Sequence, residues 1–211
     1  MRRVWLVFAL ALLFIPATAG AEYWTLTGFG GYNLGGSIDI SEDQLLDLDT
    51  KDGFTPGLAL GYTSWNNFGF EVSWMYRPQT VEGRVEPGDP VQEFGNVDAH
   101  EFMGNFLFAP AYPRGKAIPY FLFGLGLTAF YPEGDFDSKT RFAFALGAGV
   151  KLWTEQEKIG FRAQIRYHST YMNSDEDGIW CDPWYCYEVT DSNWLDEFDF
   201  TGGIMLKFGQ R

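Results

Sequence analysis

The chain has 211 residues, the size of one domain with a sizeable core, and carries a formal net charge of −13, with 15 Lys+Arg against 28 Asp+Glu. That balance excludes nucleic acid as a partner, and it excludes binding of anionic lipid through a broad basic face. Aromatic residues make up 18% of the chain, more than a soluble core of this size needs, and its two cysteines, Cys181 and Cys186, stand close together.

The N-terminus reads as a secretory signal peptide over residues 1–21. Arg2 and Arg3 form the positive region, Trp5 to Ile15 is apolar and uncharged, and Pro16 to Ala21 supplies small residues, so that cleavage after Ala19 or after Ala21 fits. The apolar run is shorter than the ~20 residues a spanning helix needs, and no later stretch reaches that length without a charge. Residues 22–211 show no linker or shift in composition and read as one domain.

Along that domain, helical periodicity is absent and period-two segments recur between turn-rich stretches. About eight strands are predicted, near 23–34, 56–65, 68–77, 97–108, 118–130, 140–152, 159–170 and 196–208, each long enough to cross a bilayer when tilted. In the third, Phe68, Phe70, Val72, Trp74 and Tyr76 share a face opposite Gly69, Glu71, Ser73, Met75 and Arg77. In the sixth, Phe142, Phe144, Leu146 and Val150 oppose Arg141, Ala143, Ala145, Gly147, Gly149 and Lys151. The seventh sets Phe161, Ala163, Ile165 and Tyr167 against Arg162, Gln164, Arg166 and His168. The last sets Phe198, Phe200, Ile204, Leu206 and Phe208 against Glu197, Asp199, Thr201, Met205 and Lys207.

A soluble barrel alternates too, with its apolar face inward. Two features turn the apolar face outward here. Long links (near 35–55, 78–96 and 171–195, with 131–139 intermediate) alternate with shorter ones (66–67, 109–117, 153–158), as in barrels with short periplasmic turns and long external loops. The apolar face is also crowded with Phe, Trp and Tyr, while the other mixes Gly and Ala with charges of both signs, which suits a narrow lumen. The fold class is therefore all-β, a single eight-stranded antiparallel transmembrane barrel. A mean hydropathy of −0.16 fits, because only alternate residues meet lipid.

On these residues the chain resembles the small eight-stranded outer-membrane β-barrel family of OmpA-like and OmpX-like domains. The resemblance runs from about Tyr23 to Phe208, through Tyr32 at the end of a Gly-rich first strand, Ile118-Pro119-Tyr120, Gly124-x-Gly126, and a last strand in which Thr201, Gly203, Leu206 and Phe208 look like the barrel-assembly signal. The tail Gly209-Gln210-Arg211 departs from it, because the family often stops at the terminal aromatic. The resemblance implies residence in the outer membrane of a Gram-negative-type bacterium as a monomer. It implies lipid, lipopolysaccharide and the barrel-assembly machinery as partners, and an extracellular ligand the sequence does not name. No peptidoglycan-binding domain follows, so a tethering role is not implied.

Several groups invite chemistry. The predicted lumen holds Glu71, Arg77, Glu101, Arg141, Lys151, Arg162, Arg166, Glu197, Asp199 and Lys207. They fit a polar ion path or a paired core, and the narrowness of an eight-stranded barrel favours pairing. Some small outer-membrane barrels are lipid A deacylases, but their His and Ser stand two apart, whereas His168 and Ser169 are adjacent and face opposite ways, and Thr170 is a poor nucleophile. His100 lies on the apolar face, at the membrane interface.

Asn173, Asp175 and Asp177, followed by Gly178, make half of a calcium loop, but Trp184 stands where the closing Glu belongs. With the acidic run Asp39, Glu42, Asp43, Asp47, Asp49 and Asp52, they read first as solvated loops and second as a weak divalent-cation site. No other cofactor is expected. Cys181 and Cys186 are expected to form a local disulfide in an oxidising compartment. The flanking Trp180, Trp184, Tyr185 and Tyr187 suit either a recognition surface or a cap over the barrel mouth. The function these features favour is structural or surface-interacting and non-catalytic. The alternatives are a narrow pore for ions or small apolar solutes and a lipid A-modifying enzyme.

Overall fold

The computed structural model describes residues 21–38, 47–64, 68–84, 90–109, 116–134, 138–156, 158–172, 179–181, 186–188 and 193–209. Eight long strands form the wall: β1 (Ala21–Leu34), β4 (Gly53–Ser64), β5 (Phe68–Arg84), β6 (Gln92–Phe108), β7 (Ala117–Pro132), β8 (Lys139–Trp153), β9 (Ile159–Met172) and β12 (Asn193–Phe208). Each pairs antiparallel with its neighbour in sequence, and β1 pairs with β12, so the sheet closes into a barrel with no free edge along its wall. Short strands β2 (Ser37–Ile38), β3 (Asp47–Thr50), β10 (Ile179–Cys181) and β11 (Cys186–Glu188) complete the set.

The side-chain parity expected from the sequence holds through the wall. Leu58, Phe70, Phe106, Phe121, Leu146, Ile165, Phe200 and Ile204 are exposed, while Met75, Met103, Ala143, Ala145 and Met205 are buried in the lumen. An apolar surface this continuous would drive a soluble protein to aggregate; in a bilayer it is the solvated face. Aromatic pairs mark both rims: Trp24 with Tyr62 and Phe68 with Phe108 at the end carrying the short turns, and Phe144 with Trp194 and Tyr171 with Trp194 at the other.

The structure corrects the strand ends on the loop side. β5 and β6 stay paired as far as Gly83 opposite Gln92, so most of the expected 78–96 loop is wall. The expected 35–55 loop contains β2 and β3, which pair Ser37 with Asp49 and continue the register in which β1 pairs Asn33 with Gly53. β3 also pairs with β5, Thr50 opposite Val81. Between them the ladder of β4 and β5 is interrupted and bridged by Lys51 N–H to the Thr80 carbonyl (2.9 Å) and Thr55 Oγ1 to the Tyr76 carbonyl (3.1 Å). Pro56 and Pro78, which have no N–H to donate, lie in this interruption. The alternation signal stops below these extensions because Glu82, Gln92 and Glu93 stand where both faces are wet.

In β12, Thr201 and Gly203 face the lumen, and Ile204, Leu206 and Phe208 face out. A charge at the last aromatic tests the proposal that this strand carries the assembly signal. Phe208→Asp should sharply reduce inserted, heat-modifiable protein in fractionated membranes. The folded barrel itself should lose only ~0–1 kcal/mol, because the position lies at the rim. Normal insertion of the variant would place the signal elsewhere.

Candidate functional site: the ionic lumen

Lumen-facing positions on six strands converge on two charged groups. The upper one joins Arg77 of β5, Glu101 of β6, Arg166 and His168 of β9, and Glu197 and Asp199 of β12, all nearly inaccessible to solvent. Arg77 Nη2 donates to Glu101 Oε2 at 2.5 Å, and its Nη1 lies 3.5 Å from Glu197 Oε2. Arg166 Nη2 reaches Glu101 Oε1 at 2.8 Å and Asp199 Oδ2 at 3.2 Å. His168 stands between two carboxylates, Nε2 at 2.7 Å from Glu197 Oε2 and Nδ1 at 3.1 Å from Asp199 Oδ2, and Arg77 Nη1 approaches the same ring, 3.2 Å from Nδ1. Asn33 Nδ2 donates to Asp199 Oδ1 at 2.9 Å, and Gln79 Nε2 donates to Glu197 Oε1. Arg77 and Arg166, together with His168, thus face three carboxylates, and charges out of water are stable only when partnered in this way.

The lower group is built on Tyr120 of β7. Its hydroxyl accepts from Arg162 Nε at 2.6 Å and donates to Gln164 Oε1 at 2.8 Å, while Arg162 Nη1 donates to Glu71 Oε2 at 2.5 Å. Lys151 Nζ lies 5.4 Å from the Tyr120 ring centroid and Arg162 5.2 Å, both over its face. Met75 and Met103 fill the level between the groups, where Arg166 Nη2 contacts Met75 Sδ at 3.2 Å.

Of the charges read from the sequence, the structure joins Glu71 with Arg162, and Arg77, Glu101, Arg166, Glu197 and Asp199 with one another. Lys151 is buried beside them without a carboxylate among the described residues, and Lys207 rests over the rings of Tyr23 and Trp153. Arg141 stays half-exposed at the loop end of β8, where no carboxylate among the described residues reaches it. His168, Asn33, Gln79, Tyr120 and Gln164 complete the two groups without being among the charges that the sequence singles out. Inward parity marks four of them in the sequence, while Gln79 falls in the stretch expected to be loop, where no parity is read.

The adjacent pair behaves as its spacing dictates: His168 points into the lumen, and Ser169 bonds Asp196 of the neighbouring strand. His100 lies among Trp74, Tyr76 and Tyr131 on the outer face, accepting from Trp74 Nε1 at 3.3 Å. Asn173, Asp175 and Asp177 lie outside the described residues, as do Asp39, Glu42 and Asp43. β10 and β11 set Cys181 directly opposite Cys186 in backbone register. A small recess of about 40 Å³ opens at the turn end, between Tyr23, Thr63, Ser64, Tyr120 and Lys151, with room for a few waters.

A closed antiparallel barrel of eight strands, with an aromatic-rimmed apolar exterior and a packed ionic interior, defines an integral outer-membrane β-barrel protein. The chain belongs to the outer membrane protein beta-barrel domain family, whose model matches residues 6–208. It resides in the outer membrane. Among solved structures it is similar to the outer membrane protein OprG from Pseudomonas aeruginosa, with a TM-score of 0.60, 13% identity, and coverage of 90% of this chain and 97% of that one. It is also similar to Neisserial surface protein A, with a TM-score of 0.56, 13% identity, and coverage of 90% and 100%. For outer membrane protein AlkL the TM-score is 0.54 at 14% identity, with coverage of 91% and 92%. At these identities the likeness is one of fold. Comparison with curated protein sequences returned no match.

Proposed function

We propose that this protein is a closed, non-catalytic outer-membrane barrel whose work is done at the cell surface, by the loop-side wall and the loops it carries. The observation that carries this reading is the ionic lumen. Three arginines and four carboxylates pair in two groups across the bore, nearly inaccessible to solvent, which supports a plugged interior over a water-filled channel. The surface role is supported by the paired wall that continues past the outer aromatic rim in β5, β6, β2 and β3. There Lys51 bridges Glu82 at 3.3 Å and Glu93, and hydrogen bonding to Glu93 first and Glu82 second holds its ammonium pKa above the ordinary value. The barrel acts as a monomer among lipid and lipopolysaccharide, needs no cofactor, and carries acidic loops able to share the divalent ions of the outer leaflet.

Purified protein in planar bilayers should pass no stepwise current. Sustained conductance would replace this reading with the pore, and a lipid A mass change in expressing cells would replace it with an enzyme.

The β10–β11 hairpin belongs to the same surface apparatus. Its facing cysteines should be oxidised, in a loop too short to gain the ~3 kcal/mol of a 15-residue closure. Reduction should leave strand circular dichroism unchanged. Free thiols in unreduced protein, or collapse of the barrel on reduction, would contradict this.

A further inference from the structure

We propose that the turn-side mouth of the barrel binds a small inorganic anion of the halide class on the ammonium of Lys151. Lys151 projects from the end of β8 into the lumen and is 8% exposed. It lines the recess between Tyr23, Thr63, Ser64 and Tyr120, beside Ala109. Ala109 closes β6 on the turn side, so the recess faces the periplasmic end.

Charge counting shows what the recess lacks. The upper group sets Arg77, Arg166 and His168 against three carboxylates, each within ion-pair distance of a partner. In the lower group Arg162 and Lys151 face a single carboxylate, Glu71, and Arg162 already holds it at 2.5 Å. Among the described residues no carboxylate oxygen lies within ion-pair distance of Lys151, whose near neighbour is the Tyr120 ring at 5.4 Å. Lys207, held over Tyr23 and Trp153, does not enter this count. A buried ammonium without a counter-charge is unstable, and a ring face only partly offsets its lost hydration. The Tyr120 hydroxyl is committed to Arg162 and Gln164, and Lys151, Tyr23, Thr63 and Ser64 are the other side chains with donor groups that line the recess, beside the apolar Phe68, Leu107 and Ile118. Water would fill the space without neutralising it. The small volume suits a small inorganic anion, and a halide is the simplest that fits.

The test is reversible urea unfolding in vesicles at constant ionic strength, with sodium chloride exchanged for sodium gluconate, together with diffraction from crystals grown in bromide. In the wild type, the folded-to-unfolded ratio should rise with chloride, approaching tenfold for each tenfold increase above the dissociation constant. An anomalous bromide peak should lie against Lys151 Nζ. Lys151→Met should show no chloride dependence, and in gluconate it should be at least as stable as the wild type, because the unpaired charge is gone. A recess without bromide, or an unaltered chloride response in Lys151→Met, overturns the proposal. If that variant fails to insert, Lys151→Gln takes its place in the titration, and the wild-type bromide map decides by itself.

Discussion

Replacing Arg166 by Met should destabilise the inserted barrel by about 3–5 kcal/mol, the cost typical of removing one partner from a buried ion pair. The guanidinium touches Glu101 at 2.8 Å and Asp199 at 3.2 Å, and Met removes it while keeping much of its length. The loss comes chiefly from the carboxylates left behind, so the double change Arg166→Met with Asp199→Asn should recover part of the stability. Urea unfolding in vesicles, read by tryptophan fluorescence, measures both variants. Unchanged stability in Arg166→Met, accompanied by a continuous water path through the lumen, would refute the plugged interior.

A comparably large effect is expected at the closing seam. Gly31 of β1 pairs with Thr201 of β12 and faces the lumen. A Cβ there would stand 2.0 Å from the Phe200 carbonyl oxygen and 2.7 Å from the Thr201 Cα. These are backbone atoms of the partner strand, so no rotamer change relieves the overlap. Overpacking absorbed by side chains costs about 1–3 kcal/mol, and Gly31→Val should reach or exceed the top of that range. Folded, heat-modifiable protein should fall steeply while the full-length chain still reaches the envelope. Gly202, one pair along and facing lipid, is the control. A Cβ there would meet only the Arg162 carbonyl at 3.9 Å, and Gly202→Ala should stay within about 0.5 kcal/mol of the wild type. Equal behaviour of the two variants would mean that the seam tolerates displacement.

Strand parity was legible in the sequence because a bilayer imposes one rule on every outward position: Phe70, Phe106, Ile165 and Phe200 obey it without reference to their neighbours. The same rule placed Glu71, Arg162 and Asp199 indoors. Partner choice was less legible. Arg77 meets His168 across 91 positions of sequence, and that meeting depends on the stagger between strands, which parity does not encode. Asn33 and Gln79 carry no charge to draw notice, yet they complete the hydrogen bonding of Asp199 and Glu197. The extensions β2 and β3 were illegible for another reason. Above the outer rim both faces of a strand meet water, so alternation ends although pairing goes on.

Those extensions set the height of the molecule. β5 and β6 have 17 residues each, about 58 Å of strand at ~3.4 Å per residue. A tilt of ~40° leaves roughly 44 Å along the membrane normal, against an apolar band ~25 Å tall. Some 15–20 Å of hydrogen-bonded sheet therefore stands clear of the hydrocarbon, like a parapet. Whatever approaches from outside meets chain already ordered during folding, so a complex formed there forfeits less conformational entropy than one formed on free loops of the same length.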